Sequence, residues 1–215
     1  MQTDTHATHS ATPTEPFDLD AGMPSLAFVN TLRGRRDGSL REHISSYQDL
    51  LEFSRQTGEI DDCTAVMLAE HSASHPHETH AALQEALTLR EALFEIFSAV
   101  AAEVTPPQQA LAALNAVLRD ASSQVALVVD NGEFRLRCCE DTHLHRPIWP
   151  LAREAAELLL GPDRERIREC ANDKCGWVFL DTSRNRSRRW CSMSSCGNRA
   201  KVRSFRERAS GGDRH

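Results

Sequence analysis

The chain has 215 residues, enough for one sizeable hydrophobic core and a small additional module. Its hydrophobic content of 40% and charged content of 26% are ordinary for a globular protein, and no stretch is long and apolar enough to span a membrane. The net charge of −6 is unevenly divided. Residues 164–215 contain 14 Lys and Arg and 6 Asp and Glu, a net charge of +8, so residues 1–163 carry a net charge of −14. An acidic body with a basic end is typical of a protein that presents that end to a polyanion, although a solvated basic face has the same charge.

The two ends of the chain are predicted to lack fixed structure. Residues 1–16 are rich in Thr, His, Ser and Pro and have almost no apolar content, so we expect a disordered N-terminus, and we expect residues 209–215 to form a flexible tail. The N-terminal residues contain no apolar run of the kind that a signal peptide carries, so we expect a cytoplasmic protein.

Short amphipathic helices follow. Apolar residues predict a helix over Pro24–Leu32, stopped at Gly34, and a second that begins near Tyr47 and ends near Gly58. A third is expected to begin at a cap formed by Asp61 or the next residue.

Four histidines, His71, His75, His77 and His80, resemble a metal cluster. However, Pro76 interrupts the helical register between them, and no nearby acid or cysteine completes a ligand pattern. We therefore expect a histidine-rich solvated loop, whose role the sequence leaves open.

The strongest helical pattern runs from about Glu78 to Glu103, and a further helix is predicted from Pro107 to about Asp120. Both carry a polar residue on the apolar stripe, Arg90 in the first and Asn115 in the second. Asn30 is a third such residue. Arg90 could belong to a buried network satisfied by carbonyls or an acid. Alternatively, Arg90, Asn30 and Asn115 could line a pocket for a small anionic effector.

After these helices, the spacing of apolar residues changes from the helical period to the alternation that is typical of a β-strand. Residues 124–139 read as a β-hairpin, with Asn131-Gly132 supplying the positive-φ turn. Pro147–Leu160 is predicted to be a helix that Gly161 terminates. Asp163 is expected to cap a short basic helix that leads into Cys170, so the boundary between the body and the C-terminal module would have no flexible linker.

The most specific pattern in the chain is C-x4-C-x15-C-x4-C, formed by Cys170, Cys175, Cys191 and Cys196. Two close cysteine pairs with such a spacer suit one tetrahedral Zn²⁺, and four thiolates leave no open position, so we expect one structural zinc ion. Two disulfides are the alternative, but paired cysteines in a reducing cytoplasm are more often metal ligands.

Order and spacing predict how this module folds. The first pair would form a knuckle, Trp177–Leu180 a strand, and the turn 181–187 would return the chain to the second pair, with Cys196 near the start of a helix over 197–208. This arrangement is similar to a treble clef. The fold class expected for the whole chain is therefore mainly α with a β-hairpin (α+β): a helical N-terminal domain and a small C-terminal zinc finger.

Basic residues of the module form two groups. The first crowds the spacer: Arg184, Arg186, Arg188 and Arg189. The second lies on the final helix: Asn198, Arg199, Lys201, Arg203 and Arg206. Arginines on one side of a helix can read bases in a major groove while others hold phosphates, although Asn198 could equally have a structural role at the helix start.

The C-terminal segment also resembles a known family. Between about Arg168 and Arg208 the chain resembles the CGNR zinc finger, because it contains in order the motifs FLDTSRN, RRWCSM and CGNRAK. The four cysteines match the metal ligands of that family. The resemblance implies an ABATE-type N-terminal region, a helical part of stress-related bacterial transcription regulators, and FVNTL and LREAL are similar to its motifs. On this basis we assign 17–162 to an ABATE-like domain and 163–208 to the finger.

The leading hypothesis is a regulator that binds double-stranded DNA through the finger, with a helical body that senses a small-molecule effector or forms a homodimer. An RNA-binding module is the alternative, since Trp177, Phe179 and Trp190 could stack on bases, although in so small a module these rings more often form the core. A zinc module that binds protein partners is another. We expect no enzyme, because the sequence shows no nucleophile–base pair, no glycine-rich phosphate loop and no open metal site.

Overall fold

The computed structural model describes residues 16–138 and 141–211, with the backbone alone at 136–138, 204, 205 and 207–211. Most of the two terminal segments expected to be disordered or flexible, 1–16 and 209–215, therefore lies outside the described residues. Among the described residues, no helix combines the length and apolar character that crossing a membrane requires.

The N-terminal body is built mainly from helices. Its elements up to residue 123 are α1 (Pro24–Val29), β1 (Leu32–Arg33), β2 (Arg41–Glu42), α2 (Tyr47–Gln56), α3 (Asp62–Ser74), α4 (Pro76–Ala101) and α5 (Gln108–Ser123). Side-chain caps begin two of the helices: Ser46 accepts a hydrogen bond from the Asp49 N–H at 3.1 Å, and Asp61, as predicted, accepts one from the Thr64 N–H at 2.7 Å.

The predicted hairpin follows as β3 (Val125–Asp130) and β4 (Glu133–Cys138), paired antiparallel around a turn in which Asn131 and Gly132 have φ of 52° and 82°. A 3₁₀ turn, Arg146–Ile148, then leads into α6 (Trp149–Leu160). The C-terminal module contains a 3₁₀ turn (Pro162–Arg166), β5 (Ile167–Glu169), β6 (Val178–Leu180), a π-helical turn (Met193–Gly197) and α7 (Asn198–Gly211). The mainly helical fold class with a hairpin and a zinc finger is confirmed.

Several local predictions were wrong. The helix predicted over Pro24–Leu32 ends at Val29, and Leu32 starts a strand that pairs with β2. The histidines from His71 to His80 lie in α3, α4 and their junction rather than in a loop, because a proline is tolerated in the first turn of a helix and Pro76 starts α4.

The basic segment before the first cysteine was also wrongly predicted as a helix. Residues 162–166 form a 3₁₀ turn and 167–169 form β5, which pairs with β6 in the register Ile167 to Leu180. The partner of β6 therefore precedes the first cysteine pair, whereas we expected the spacer after Asp181 to supply it. Pairing with β6 places Ile167 in the body core, where it is 1% exposed, and this long-range burial outweighs the local helical pattern.

The main core surrounds α4, which contacts α1, α2, α3, α5, β5 and β6. Phe28, Phe53 and Phe97 are fully buried there. Strand β6 lies between two cores: Val178 and Leu180 pack into the main core, while Phe179 packs with the cysteines. Because side chains alternate along a strand, one three-residue element joins the body to the finger.

Candidate metal centre and nucleic-acid interface

The four cysteines come from two separate parts of the finger. Cys170 follows β5, Cys175 lies in the turn before β6, Cys191 ends the long spacer, and Cys196 lies in the π-helical turn before α7. Despite this spread, the four Sγ atoms all lie within 4.8 Å of one another. Three of the cysteines are buried and Cys175 is half-buried.

Backbone geometry builds the knuckle that carries the first pair. The Cys170 N–H donates to the Trp177 carbonyl at 2.8 Å, and the Cys175 N–H donates to the Asn172 carbonyl at 2.9 Å. Gly176 closes the turn with φ of 73°, and a Cβ at this position would lie 3.3 Å from Arg35 Cβ and from Arg36 Cγ. The positive φ and the close approach of the body loop both favour glycine here.

The cysteine arrangement fits zinc and does not fit disulfides. The Sγ atoms of Cys175 and Cys191 are 3.7 Å apart, whereas a disulfide would bring them to about 2.0 Å. Two sulfurs bound to one tetrahedral Zn²⁺ at about 2.3 Å each are separated by about 3.8 Å. The four cysteines therefore form a site for one structural zinc ion, and zinc bound there would cross-link the knuckle to the start of α7.

The thiols of this cluster perturb one another's pKa values. Hydrogen bonds from Cys175 and Cys191 lower the pKa of Cys170 to about 2, and the same contact with Cys170 raises the pKa of Cys175 to about 12. The pKa of Cys191 is also raised, by its contacts with both neighbours. A metal ion bound by these sulfurs would take the place of the thiol protons.

A buried carboxylate fixes the spacer. Asp181 is 0% exposed and accepts hydrogen bonds from the Ser183 N–H at 2.9 Å and from the Arg188 N–H at 3.0 Å. Burial acts to raise its pKa, but hydrogen bonds from Ser183 and Arg188 outweigh that effect and lower it. The carboxylate therefore organises the loop that leads to the second cysteine pair.

Arg188, predicted to contact nucleic acid, has its guanidinium bonded within the protein. It donates to the carbonyls of Trp190, Cys191 and Asp20, and it lies over the Phe179 ring at 4.6 Å. The structure thus places Arg188 as a brace for the second cysteine pair. Among the other spacer arginines, Arg184, Arg186 and Arg189 are exposed.

The final helix presents its predicted residues along one side. An open groove of about 730 Å³ is lined by Ser194, Ser195, Asn198, Arg199, Val202, Arg203 and Arg206. Lys201 is exposed but does not line this groove. Several of the lining residues also have contacts within the protein: the Ser194 hydroxyl lies 2.8 Å from that of Ser192, Asn198 donates to the Ser194 carbonyl at 3.0 Å, and Arg203 pairs with both oxygens of Asp173 at 2.8 and 3.0 Å.

Contacts between body and finger were missed at the sequence level. The Asn30 side chain donates to the Val178 carbonyl at 2.8 Å and accepts from the Val178 N–H at 3.1 Å. Arg36 donates to the carbonyls of Cys170 and Asn172 and forms an ion pair with Glu169 at 2.6 Å. These contacts span more than 130 residues, so spacing gave no signal for them.

The structure does not bring Asn30, Arg90 and Asn115 together as a pocket. Arg90 is 3% exposed and makes a bidentate pair with Glu42 at 2.6 and 2.7 Å, as the buried-network interpretation anticipated. Asn115 is exposed on α5, outside the interior in which Arg90 and Asn30 lie.

Two family models match the chain. The ABATE model, described as "Putative stress-induced transcription regulator", matches residues 22–162, and the CGNR zinc finger model matches residues 166–209. Comparison with curated proteins gives no match. Since the ABATE match covers more than half of the chain and the four cysteines supply the metal site of the second model, this protein belongs to the ABATE family and carries a CGNR zinc finger after the ABATE region.

Proposed function

We propose that the protein is a non-catalytic transcription regulator that binds double-stranded DNA through its zinc finger. The observation that carries this proposal is the side of α7 that presents Arg199, Arg203 and Arg206 immediately after the metal ligand Cys196. The family description, a stress-induced regulator, supports the same function.

The position of α7 suits a helix that enters a groove. Its first turn is fixed by Cys196, so a bound zinc ion would hold the helix at a set angle to the knuckle. Exposed arginines along one side can contact guanines in a major groove, and the exposed arginines of the spacer can hold phosphates. Because the basic residues are concentrated here while residues 1–163 carry −14, the finger is the part of the chain that a polyanion would approach.

The aromatic residues favour duplex DNA over single-stranded RNA. Base stacking requires exposed rings, yet Trp177 and Phe179 are 7% and 0% exposed and pack with the cysteines. Trp190 is half-buried against the same cluster. The rings belong to the finger core and offer little exposed face for stacking, which supports the duplex interpretation.

The body would supply regulation. One finger offers few phosphate contacts and hence modest affinity, so we propose that two chains bind together as a homodimer. A small-molecule effector that altered the body could act on the finger through Asn30 and Arg36, because both contact the knuckle or its strand directly.

Fluorescence anisotropy of the zinc-loaded protein with random duplex DNA tests the proposal. We expect binding that weakens steeply with salt and prefers duplex to single-stranded RNA. On random DNA, which lacks a specific site, the arginines of α7 would lie against phosphates, so Arg199→Ala/Arg206→Ala should weaken binding and reduce the salt slope by about 2.

The matched control is Arg119→Ala/Arg153→Ala, which removes the same charge from exposed positions on the body helices. If the control pair weakened binding as much as the finger pair, binding would follow net charge and the assignment to α7 would be wrong. Absence of binding at low salt would leave a zinc module that contacts protein partners, and preference for single strands would restore the RNA alternative.

A further inference from the structure

A second cluster of metal-ligating side chains lies in the ABATE region. Asp120 on α5 meets His143 and His145, which belong to the segment between β4 and α6, and one donor atom from each lies within 4.8 Å of the other two. We propose that these three residues bind a divalent first-row transition metal ion, of which Ni²⁺ and Zn²⁺ are the representatives to test.

The spacing of the His145 and Asp120 donor atoms is that of two ligands around one ion. His145 Nδ1 and Asp120 Oδ2 are 3.7 Å apart, which is too long for a hydrogen bond. Two ligand atoms that each lie about 2.1 Å from a tetrahedral ion are separated by about 3.4 Å. A small inward movement of either side chain would therefore complete the coordination distance.

Neighbouring groups hold two of the ligands in place through hydrogen bonds to the sides of the ligands that would not face the ion. His145 Nε2 lies 3.2 Å from Glu85 Oε2, so that an Nε2–H can donate to the carboxylate and leave Nδ1 for the ion. Trp149 Nε1 donates to Asp120 Oδ2 at 2.8 Å. A histidine that donates its other ring nitrogen to a carboxylate is the usual partner arrangement of a metal-binding imidazole.

A cavity gives an ion access to the two histidines of the cluster. Its volume is about 290 Å³, and its lining includes His143, His145, Thr142, His71 and Glu78. The cavity leaves room for water molecules as further ligands, and His71 and Glu78 line the same cavity without belonging to the three-residue cluster. Two imidazoles and one carboxylate suit zinc, nickel or iron better than magnesium or calcium, which prefer all-oxygen sites.

The same atoms could instead form a metal-free ion pair, with a protonated His145 between Glu85 and Asp120. That arrangement does not use His143 as a charged partner: its Nδ1 accepts a hydrogen bond from the His145 N–H at 3.3 Å, and its ring lies 5.2 and 4.7 Å, between centroids, from His145 and Trp149. His143→Ala therefore separates the two interpretations, because it removes a metal ligand and leaves both carboxylates in place.

Isothermal titration calorimetry of the full chain, already loaded with one zinc ion in the finger, measures binding of Ni²⁺ and of Zn²⁺. We expect one additional equivalent in the unmodified protein. Binding should be at least about tenfold weaker in Asp120→Asn and in His143→Ala, and about 10- to 100-fold weaker in Glu85→Gln, which loses the carboxylate that orients His145. Asp120→Asn keeps an acceptor for Trp149, so that the fold is retained, and circular dichroism checks each variant.

His80→Ala is the matched control, because His80 is an exposed histidine on α4 that does not line the cavity. It should bind the second ion as the unmodified protein does. The proposal is overturned if the zinc-loaded protein takes up no second ion. It is also overturned if Asp120→Asn and His143→Ala bind as His80→Ala does, or if the added Ni²⁺ gives the intense thiolate charge-transfer absorption of an ion in the cysteine site.

Discussion

The body and the finger are stabilised by different means, although they share a strand. The body buries large side chains from every helix around α4, including Phe28, Phe53 and Phe97. The finger core consists of Trp177 and Phe179 with the cysteines, and half-buried Trp190 packs against it. A module with so few apolar groups cannot offset its own conformational entropy, so it requires the metal, whereas the body does not.

Strand β6 shows how far the two regions depend on each other. One edge pairs with β5, and on the other edge Asn30 hydrogen-bonds both backbone groups of Val178 while the Leu180 N–H donates to the Ala21 carbonyl at 2.8 Å. The body thus satisfies a strand edge that would otherwise be open. We therefore expect zinc removal, truncation in the body core and substitution at the junction to reduce stability to different extents.

Removal of zinc should have the largest effect. Because apparent binding free energies of structural zinc are on the order of 10 kcal/mol, a chelator should unfold the finger while the body keeps its fold. Hydrogen exchange measured with and without chelator should show protection lost in the knuckle, in the spacer after Asp181 and in α7, and retained in α4 and in β6, which packs into the body core. Equal loss of protection in α4 would show that the body also depends on the metal.

Truncation in the body core should have the next largest effect. Phe97→Ala should lower the free energy of unfolding of the body by about 3–5 kcal/mol, because it removes a fully buried ring and leaves a cavity. Chemical denaturation followed by circular dichroism measures the change. Leu160→Ala is the control, since Leu160 is 85% exposed, and a similar loss there would contradict the assignment of the core.

A smaller effect is expected at the junction. Asn30→Ala leaves the buried N–H and carbonyl of Val178 without their partner, which should cost about 1–3 kcal/mol. Asn115→Ala makes the same chemical change at an exposed site and should alter stability by less than about 0.5 kcal/mol. Both are measured by denaturation of the zinc-loaded protein. Equal effects would mean that Asn30 does not join the two regions.

The smallest effect concerns the pH dependence of Glu91, which pairs with Arg35 and Arg90. Partial burial acts to raise its pKa, but the two guanidinium groups outweigh it and hold the pKa below the usual value of 4.5. Its ion pairs therefore stabilise the fold above about pH 4.5, and this contribution is lost as the pH falls through the lowered pKa. Thermal midpoints of the unmodified protein and of Glu91→Gln should differ at pH 6 and converge towards pH 3. A gap that widened on acidification would contradict the assignment.

Features that depend on neighbours in sequence were predicted well. Helices α2, α4 and α6 follow from their apolar periodicity, and the β3–β4 turn follows from Asn131-Gly132, which tolerates positive φ. The four zinc ligands follow from cysteine spacing, because each pair must wrap one side of an ion. Strand β5 was missed, since three residues are too few to show a period and their pairing with β6 decides the conformation.

The sequence alone therefore determined the chemistry of the metal centre, the helical character of the body and the placement of the basic charge, because these depend on residue type and local spacing. Only the tertiary structure decided which polar residues serve the fold and which remain on the surface. The sequence does not distinguish the role of Arg188 from that of Arg199. In the structure, Arg188 hydrogen-bonds within the cysteine loop, whereas Arg199 lines the open groove of α7. Likewise, Asp120 and His145 are brought together only by the packing of the segment before α6 against α5, a contact made between residues far apart in the chain.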